Sequence, residues 1–323
     1  MPEGDTVHHT ASALRTALVG RPLIAFEAPY LIGLRPAIGG VIEEIETFGK
    51  HLEFAWDDGV VLHTHLKMSG SWHLYHPGER WRRPQREMVV MIATETWVAV
   101  CFNAPIVETY RSFDKRRHPG YGHLGPDLCK DDPDIDECLR RLEVYAEPDE
   151  PIAEALLDQR IACGVGNVYK SELLWRRAVN PFLAVRYLEA EERRGLLTDA
   201  AELLHFNRHR TRRVTAPETA GGLAVYGRNG RPCPRCGDAI KVQRTGQHLR
   251  ATYWCPSCQV PPRYSMLSEV TPSGTVRLRS VEPGPVASPF GTPLDDSGGQ
   301  IRPSMRSTRN SMATRSLRSP GTR

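Results

Sequence analysis

Cys233-Pro-Arg-Cys236 and Cys255-Pro-Ser-Cys258 decide the fold of the C-terminal part of this chain. Together they form the pattern C-x2-C-x18-C-x2-C, which supplies four thiolates in tetrahedral geometry and leaves 18 residues for a β-hairpin. The pattern predicts a zinc ribbon with one structural Zn²⁺ ion, since four protein ligands leave no position for a reactive water. Arg250 falls at the far end of the predicted hairpin, where it is placed to bind a phosphate.

The rest of the composition indicates a globular intracellular protein. In 323 residues there is no run of eighteen apolar residues and no signal peptide, which argues against a membrane protein and predicts a cytoplasmic location. The remaining cysteines, Cys101, Cys129, Cys138 and Cys163, follow no spacing pattern and are predicted to be reduced thiols.

Positive charge is concentrated in two regions of the chain. Residues 205–258 contain ten Lys and Arg against two acids, and residues 263–323 contain nine Arg against four acids, within a chain of net charge +4. This distribution predicts a polyanionic partner. Residues 263–323 are also rich in Ser, Pro and Gly, which predicts a disordered tail. Its arginines either add nonspecific affinity for nucleic acid or belong to a solvated extension without a role of its own.

The first four residues, Met1-Pro2-Glu3-Gly4, form a candidate catalytic pair. Removal of Met1 leaves a secondary α-amine, and an α-amino group with a pKa near 8 is partly free base at neutral pH. Its condensation with a carbon at the aldehyde oxidation level gives a cationic iminium, and Glu3 is placed to transfer the protons. A frayed, solvated terminus is the ordinary alternative.

The chain that follows predicts a helix and an antiparallel β-sandwich. Asp5 or Thr6 is expected to cap a helix that ends at Gly20 and buries one face, which ties the terminus to the fold. Strands are predicted at about 21–28, 41–56, 60–68, 71–75, 87–93 and 96–102. Lys50 would lie in an apolar row of the second strand, either directed into a site or extending to solvent from an edge strand.

Met68 lies at a glycine-bounded loop tip between Lys67 and Ser69, shortly after His65. An exposed methionine there is a candidate wedge for opening a base stack, whereas a methionine that fills a core gap is the commoner case. Lys67 and His65 are assigned with it as candidate DNA-binding residues, although a single histidine is more often structural.

The second half of the chain is predicted to be helical after an interdomain connection. Helices are expected at about 151–159, 168–177 and 189–206, with Gly164-Val165-Gly166-Asn167 before the second. Two glycines at a helix start suit a phosphate, although an ordinary helix–helix turn fits equally well. The basic run 208–213 is interpreted as a surface that binds a nucleic-acid backbone.

Taken in this order, these motifs resemble the formamidopyrimidine-DNA glycosylase/endonuclease VIII family of base-excision repair enzymes. The resemblance covers residues 1 to about 260 and rests on the following stretches: Met1 to Gly4, Gly49 to Leu52, Gly164 to Tyr169 with Glu172, Val225 to Arg228, and the cysteine ribbon with Arg250.

The resemblance implies an α+β fold with four parts. These are an N-terminal catalytic β-sandwich domain with flanking helices (1–118), a linker (119–150), a helix-two-turn-helix domain (151–224) and the zinc ribbon (225–262). The predicted disordered tail (263–323) follows them and is not a feature of the family. It further implies a monomer that grips damaged double-stranded DNA between its domains and acts as DNA glycosylase and abasic-site lyase.

The resemblance also implies a role for each candidate residue. Pro2 attacks C1′ of a flipped-out nucleotide, Glu3 transfers protons, and β- and δ-elimination cut the strand. Lys50, Asn167 and Arg250 match positions that hold phosphates around the lesion. Met68 matches the loop that fills the space left by the flipped nucleotide.

Two departures favour the endonuclease VIII branch, which acts on oxidised pyrimidines, over the branch that acts on oxidised purines. Residues 103–107 lack the Arg and Phe that the purine branch carries, and residues 215–223 are short for its loop over the base pocket. A catalytically silent zinc-ribbon protein that only binds DNA is the alternative from another class, but it has no need of Pro2, Glu3 and Lys50 together. A zinc-dependent hydrolase is disfavoured by the closed four-thiolate site.

Overall fold

The computed structural model describes residues 2–113 and 123–261, together with the dipeptides 269–270 and 276–277. The chain divides into two compact units, Met1–Pro262 and Arg263–Arg323. In the second unit, β11 (Glu269–Val270) pairs antiparallel with β12 (Val276–Arg277). The rest of the predicted tail lies outside the described residues, as does Met1.

The N-terminal helix α1 (Gly4–Leu18) packs on the sandwich and buries Val7, Ala11 and Leu14. Its apolar residues recur at helical spacing, so one face is covered while the other stays polar. The helix already begins at Gly4. Asp5 and Thr6 therefore lie inside the first turn, and the predicted cap at Asp5 or Thr6 is wrong.

Two four-stranded antiparallel sheets form the predicted sandwich. The first has the order β1-β6-β7-β5 and the second the order β2-β3-β4-β8. The strands are β1 (Ala25–Glu27), β2 (Ile42–Phe48), β3 (His51–Trp56), β4 (Val60–His65), β5 (Ser71–Tyr75), β6 (Met88–Ala93), β7 (Val98–Phe102) and β8 (Ile106–Arg111). Apolar side chains of both sheets, including Phe54, Leu62 and Val90, share one core.

The predicted strand 41–56 is in fact a hairpin of β2 and β3. Phe48 pairs with His51, which leaves Gly49-Lys50 as a two-residue turn. Gly49 has φ of 57°, in the left-handed region that such a turn requires. Lys50 is therefore not part of an apolar strand row; the turn sets its direction.

Two further elements lie where the sequence predicted none. Strand β8 completes the second sheet beside β4, and helix α2 (Ile135–Tyr145) occupies part of the predicted linker 119–150. Asp134 caps α2 by accepting a hydrogen bond from the Glu137 backbone amide. Because α2 is short and carries many charges, its sequence resembles a polar connection, yet Cys138 and Leu142 bury one face against the helical core.

The helical part contains the three predicted helices with adjusted ends. They are α3 (Ile152–Ala155), α4 (Asn167–Arg176) and α5 (Ala190–Asn207). Helix α4 is buried along nearly its whole length, including Lys170 and Glu172, so its polar side chains face protein and not solvent. A capping box of Glu189 and Glu192 starts α5.

The cysteine ribbon is built on a hairpin of β9 (Lys241–Thr245) and β10 (Arg250–Trp254), as the spacing predicted. Its small core contains Cys233, Ile240 and Cys255 and packs against Trp175 of α4. Among the described helices, none is both long and apolar enough to cross a membrane.

Candidate active site

Glu3 is fully buried at the start of α4, although 163 residues separate it from Gly166 in the sequence. Its carboxylate accepts hydrogen bonds from the backbone amides of Gly166 (3.0 Å), Val168 (2.8 Å) and Tyr169 (3.3 Å). These are first-turn amides, which have no partner within the helix, and the helix dipole favours an anion there. The predicted phosphate cradle is thus occupied by a carboxylate of the chain itself.

Glycines make this close approach possible. A Cβ atom on Gly166 would lie 2.4 Å from Cδ of Glu3, and one on Gly4 would lie 2.7 Å from Sγ of Cys129. The Gly4 amide also donates to the carbonyl of Gly164 at 3.0 Å. The amino terminus is therefore clamped on the 164–166 turn and is not a frayed end.

Lys50 reaches the same turn from the sandwich. Its ammonium donates to the carbonyl of Val165 at 2.5 Å, while the amide of Gly49 donates to the Asp127 carboxylate at 2.8 Å. Burial lowers the pKa of Lys50 to about 8, against the opposing attraction of Glu3. A lysine with this pKa is mostly charged at pH 7 and loses its charge as the pH rises through about 8.

A cleft of about 350 Å³ opens beside Lys50 and collects most of the predicted site residues. Its lining includes Pro2, Lys50, His65, Lys67, Met68 and Arg250. These residues come from the terminus, the β2–β3 turn, the end of β4 with the loop that follows it, and the ribbon. Glu3 and Asn167 are absent from this lining. Gly166, which does line the cleft, donates its amide to the buried carboxylate of Glu3.

Met68 is 73% exposed at the tip of its loop, so it does not fill a gap in the core. Lys67 beside it has φ of 45°, and its amide donates to Nδ1 of His65 at 3.1 Å. Burial and the nearby Lys50 lower the pKa of His65 to about 4, so the ring is neutral at pH 7. Since Nδ1 accepts a hydrogen bond, the proton of this neutral ring lies on Nε2, which is a donor.

Asn167 does not line the cleft. Its side chain is largely buried at the start of α4, and its Nδ2 donates to the carbonyl of Ala251 in β10 at 2.7 Å. Its Oδ1 has no hydrogen-bond partner among the described residues. In this structure Asn167 therefore joins α4 to the ribbon next to Arg250, and Arg250 is the cation that the ribbon contributes to the cleft lining.

Three supports of the site were missed from the sequence, two of them buried (Asp5 and Tyr169) and one half-buried (Arg213). Asp5 accepts a hydrogen bond from Nε of Arg213 at 2.7 Å and another from the hydroxyl of Tyr169 at 3.0 Å. Arg213 also approaches Glu3 at 3.8 Å. Burial acts to lower the pKa of Arg213, but its hydrogen bonds to Asp5 and the charge of Glu3 outweigh burial and raise that pKa above the ordinary value. The only signal in the sequence is an unexplained carboxylate in the first helical turn, since its partner lies 208 residues away.

The basic run 208–213 is consequently not one uniform DNA-binding surface. Arg208 pairs with Asp131 at 2.6 Å, Arg210 lies over the ring of Phe206 at 3.9 Å, and Arg213 is directed inward to Asp5. Much of this charge therefore serves contacts within the fold.

The four ribbon cysteines bring their sulfur atoms together as the spacing predicted. All four Sγ atoms lie within 4.8 Å of one another, with 3.9 Å between Cys233 and Cys258 and 3.4 Å between Cys236 and Cys255. A tetrahedral Zn²⁺ with bonds of about 2.3 Å requires sulfur atoms about 3.8 Å apart, so the set fits a metal. Cys101, Cys129, Cys138 and Cys163 are buried and form no disulfide within the described part of the chain.

This fold and site define a class of proteins in which a β-sandwich carrying a buried N-terminal glutamate is joined to helices and a four-cysteine ribbon. The profile of the formamidopyrimidine-DNA glycosylase N-terminal domain matches residues 1–105, and that of the formamidopyrimidine-DNA glycosylase H2TH domain matches residues 124–210. The second match includes α2, in agreement with its place in the helical part.

Curated relatives match over most of their length. The chain is 41% identical to "Probable endonuclease 8 2" of Streptomyces coelicolor, covering 81% of this chain and 95% of that protein. It is 39% identical to "DNA-(apurinic or apyrimidinic site) lyase Nei2" of Mycolicibacterium smegmatis, covering 80% and 99%. The chain belongs to the formamidopyrimidine-DNA glycosylase/endonuclease VIII family, as the motifs predicted.

Solved structures share the fold. A Lactococcus lactis formamidopyrimidine-DNA glycosylase bound to DNA with an abasic site superimposes with a TM-score of 0.69 at 22% identity, covering 80% of this chain and 100% of that one. The agreement supports the predicted α+β fold with antiparallel sheets and a cysteine ribbon.

Proposed function

We propose that this protein is a bifunctional DNA glycosylase and abasic-site lyase of base-excision repair. The observation that carries the proposal is the clamp that joins the amino terminus to α4, because it buries Glu3 beside a cleft lined by Pro2, Lys50 and Arg250. Relatives named endonuclease 8 and abasic-site lyase support the same activity. A protein that only binds DNA has no need of such a clamp.

The reaction begins at Pro2 once Met1 has been removed. The free proline nitrogen forms a bond to C1′ of the damaged nucleotide, and the bond from C1′ to the base breaks, with the base taking up a proton from solvent. The carboxylate of Glu3 takes the proton that the Pro2 nitrogen loses and passes it to O4′ as the sugar ring opens, which leaves an iminium between Pro2 and C1′. The clamp holds the carboxyl group of Glu3 in place for this step.

Strand cleavage follows from the electron demand of the iminium. Loss of a proton from C2′ expels the 3′-phosphate, and a second elimination expels the 5′-phosphate, after which water releases Pro2. Lys50 and Arg250 contribute positive charge in the cleft, where they bind the phosphates around the lesion. Met68, with Lys67 and His65 beside it, occupies the gap in the base stack. Asn167 assists indirectly, through the ribbon.

The substrate is a damaged double-stranded DNA, and the preferred lesion is an oxidised pyrimidine. Residues 103–105 form a short connection that begins with φ of 53° at Asn103 and leads directly into β8 at Ile106. This connection leaves little chain for the Arg and Phe of the purine branch. Excision rates on paired duplexes with an oxidised pyrimidine or an oxidised purine test the preference, and faster purine release contradicts it.

Borohydride trapping on duplex DNA with an oxidised pyrimidine or an abasic site tests the whole proposal. We expect a covalent adduct for the wild-type chain, largely lost base excision but retained binding for Pro2→Gly and Glu3→Gln, and weakened excision and weakened binding for Arg250→Ala. Intact mass shows whether Met1 is absent, because an acylated proline nitrogen cannot form the adduct. A processed wild-type chain that binds DNA without an adduct supports the silent binder instead.

The metal of the ribbon is proposed to be one structural Zn²⁺ held by Cys233, Cys236, Cys255 and Cys258. Metal analysis of the purified chain should give one zinc per molecule, and Cys236→Ala should lose it. A monomeric state and a cytoplasmic location stay predictions.

A further inference from the structure

The loop between β5 and β6 carries a dense group of arginines that the proposed mechanism does not use. Its basic residues are Arg80, Arg82, Arg83 and Arg86, and its acidic residues are Glu79 and Glu87. Residues 79–85 line an open concavity of about 660 Å³. We call residues 79–87 the arginine loop.

Aromatic packing holds the arginine loop on the sandwich. The ring of Trp81 lies 6.4 Å from that of Tyr75 and 5.8 Å, edge to face, from that of Phe102. The hydroxyl of Tyr75 accepts a hydrogen bond from the Arg82 amide at 3.1 Å. A solvated charge run requires no such anchoring, so the loop is a fixed platform for its guanidinium groups.

Hydrogen bonds also connect the arginine loop to the loop of Met68. The hydroxyl of Ser69 donates to the carbonyl of Asn103 at 3.1 Å. Asn103 in turn donates to Glu87 through its amide group, at 2.8 Å to the carboxylate, and through its backbone, at 2.9 Å. Arg83 completes the chain with an ion pair to Glu87 at 3.2 Å. The arginine loop is therefore linked through these hydrogen bonds to the Met68 loop, which enters the base stack in the proposed mechanism.

The remaining arginines are exposed. Within residues 2–113 and 123–261, Arg80, Arg82 and Arg86 form no ion pair. Three exposed guanidinium groups on one anchored loop, none of them in an ion pair among the described residues, give a field that attracts a polyanion. Guanidinium groups match phosphate oxygens in geometry as well as charge.

We propose that Arg80, Arg82 and Arg86 bind backbone phosphates of the duplex flanking the lesion, outside the cleft. This inference rests on the proposed function, since it takes the DNA held by the Met68 loop as the partner. The contacts are to phosphates and not to bases, so they act on damaged and undamaged duplex alike.

The salt dependence of DNA binding tests this surface. The logarithm of the DNA-binding constant falls with the logarithm of salt concentration, and each phosphate contact contributes about 0.9 to the steepness of that fall. Arg80→Gln/Arg82→Gln should therefore reduce the steepness by about 2. The matched control is Arg186→Gln/Arg194→Gln, which changes the net charge equally. Its arginines pair with the exposed acids Asp149 and Asp136 and lie outside the cleft lining.

A slope that falls for the loop variant on both damaged and undamaged duplex, but not for the control, supports the proposal. An unchanged slope for the loop variant overturns it, as does an equal fall for the control, which would reflect net charge alone. Borohydride trapping by the wild-type chain on the same damaged duplex reports the proposed function separately. Adduct formation with an unchanged loop-variant slope therefore rejects the arginine loop and keeps the enzyme.

Discussion

Gly166 determines whether Glu3 fits at the start of α4, because the carboxyl group occupies the space that any larger residue would need. An alanine Cβ there would lie 2.4 to 2.7 Å from Cδ, Cγ and Oε1 of Glu3, while the backbone angles of Gly166 are not left-handed. The requirement is therefore steric and specific to Glu3.

We expect Gly166→Ala to displace Glu3 and lower base excision about 100-fold, since a positioned acid or base contributes about 100- to 10,000-fold. Single-turnover excision on the oxidised-pyrimidine duplex measures this loss. The control is Glu3→Gln/Gly166→Ala, which should be no slower than Glu3→Gln. If the two losses multiply, Gly166 acts elsewhere.

The charge of Lys50 should make DNA binding dependent on pH. Its pKa of about 8 is lowered by burial, so the ammonium is present below that pH and is lost as pH rises through it. We expect affinity for a duplex with a reduced abasic site to fall about tenfold between pH 7 and 9, the size of one charge-assisted hydrogen bond. Lys50→Arg should flatten the profile, as measured by fluorescence anisotropy. Parallel profiles for both proteins would assign the pH dependence to another group.

At the scale of elements, α4 holds the ribbon strand β10 through side chains on its buried face. Asn167 bonds to Ala251, the ammonium of Lys170 donates to Oγ1 of Thr252 at 2.7 Å, and Ser171 accepts from the Tyr253 amide. These three hydrogen bonds hold the residues that follow Arg250 in sequence, so α4 determines where Arg250 lies in the cleft.

A chain of hydrogen bonds with a defined donor direction runs from Lys170 in α4 through the ribbon to Glu154 in α3. Thr245 donates to Glu154 at 2.9 Å, so Thr252 must supply the proton in its 3.2 Å contact with Thr245, and Lys170 supplies the one in its contact with Thr252. An ammonium and a carboxylate at opposite ends fix the direction of the chain.

We expect Thr252→Val to weaken abasic-site DNA binding about tenfold, because it removes two hydrogen bonds and leaves the Lys170 ammonium buried without its acceptor. Thr252→Ser, which retains the hydroxyl, is the matched control. In the Arg250→Ala background the valine should cost nothing further if the chain acts by positioning Arg250. A full additional loss there would show general damage to the ribbon instead.

For the whole molecule, patterns of local spacing predicted which helices and strands form. Contacts between residues far apart in the sequence determine which side chains these elements bring to the site. The cysteine spacing predicted the ribbon, and periodicity predicted α1 and α5, because these signals lie within a short stretch. The chain gives no local sign that Gly166 receives Glu3, that Arg213 is directed inward to Asp5, or that α2 packs instead of linking. Each depends on partners brought together only by folding.

Removing residues 263–323 tests whether the tail contributes to DNA binding. The unit Met1–Pro262 contains every core and site residue described above, so a chain ending at Pro262 should keep its unfolding temperature and its borohydride adduct. The tail carries nine Arg against four acids, so its loss should weaken binding to undamaged duplex and lower the salt slope. Replacing the nine arginines by glutamine in the full chain, which keeps tail length, should have the same effect. Equal slopes for all three chains would show that the tail stays in solvent while the cleft holds DNA.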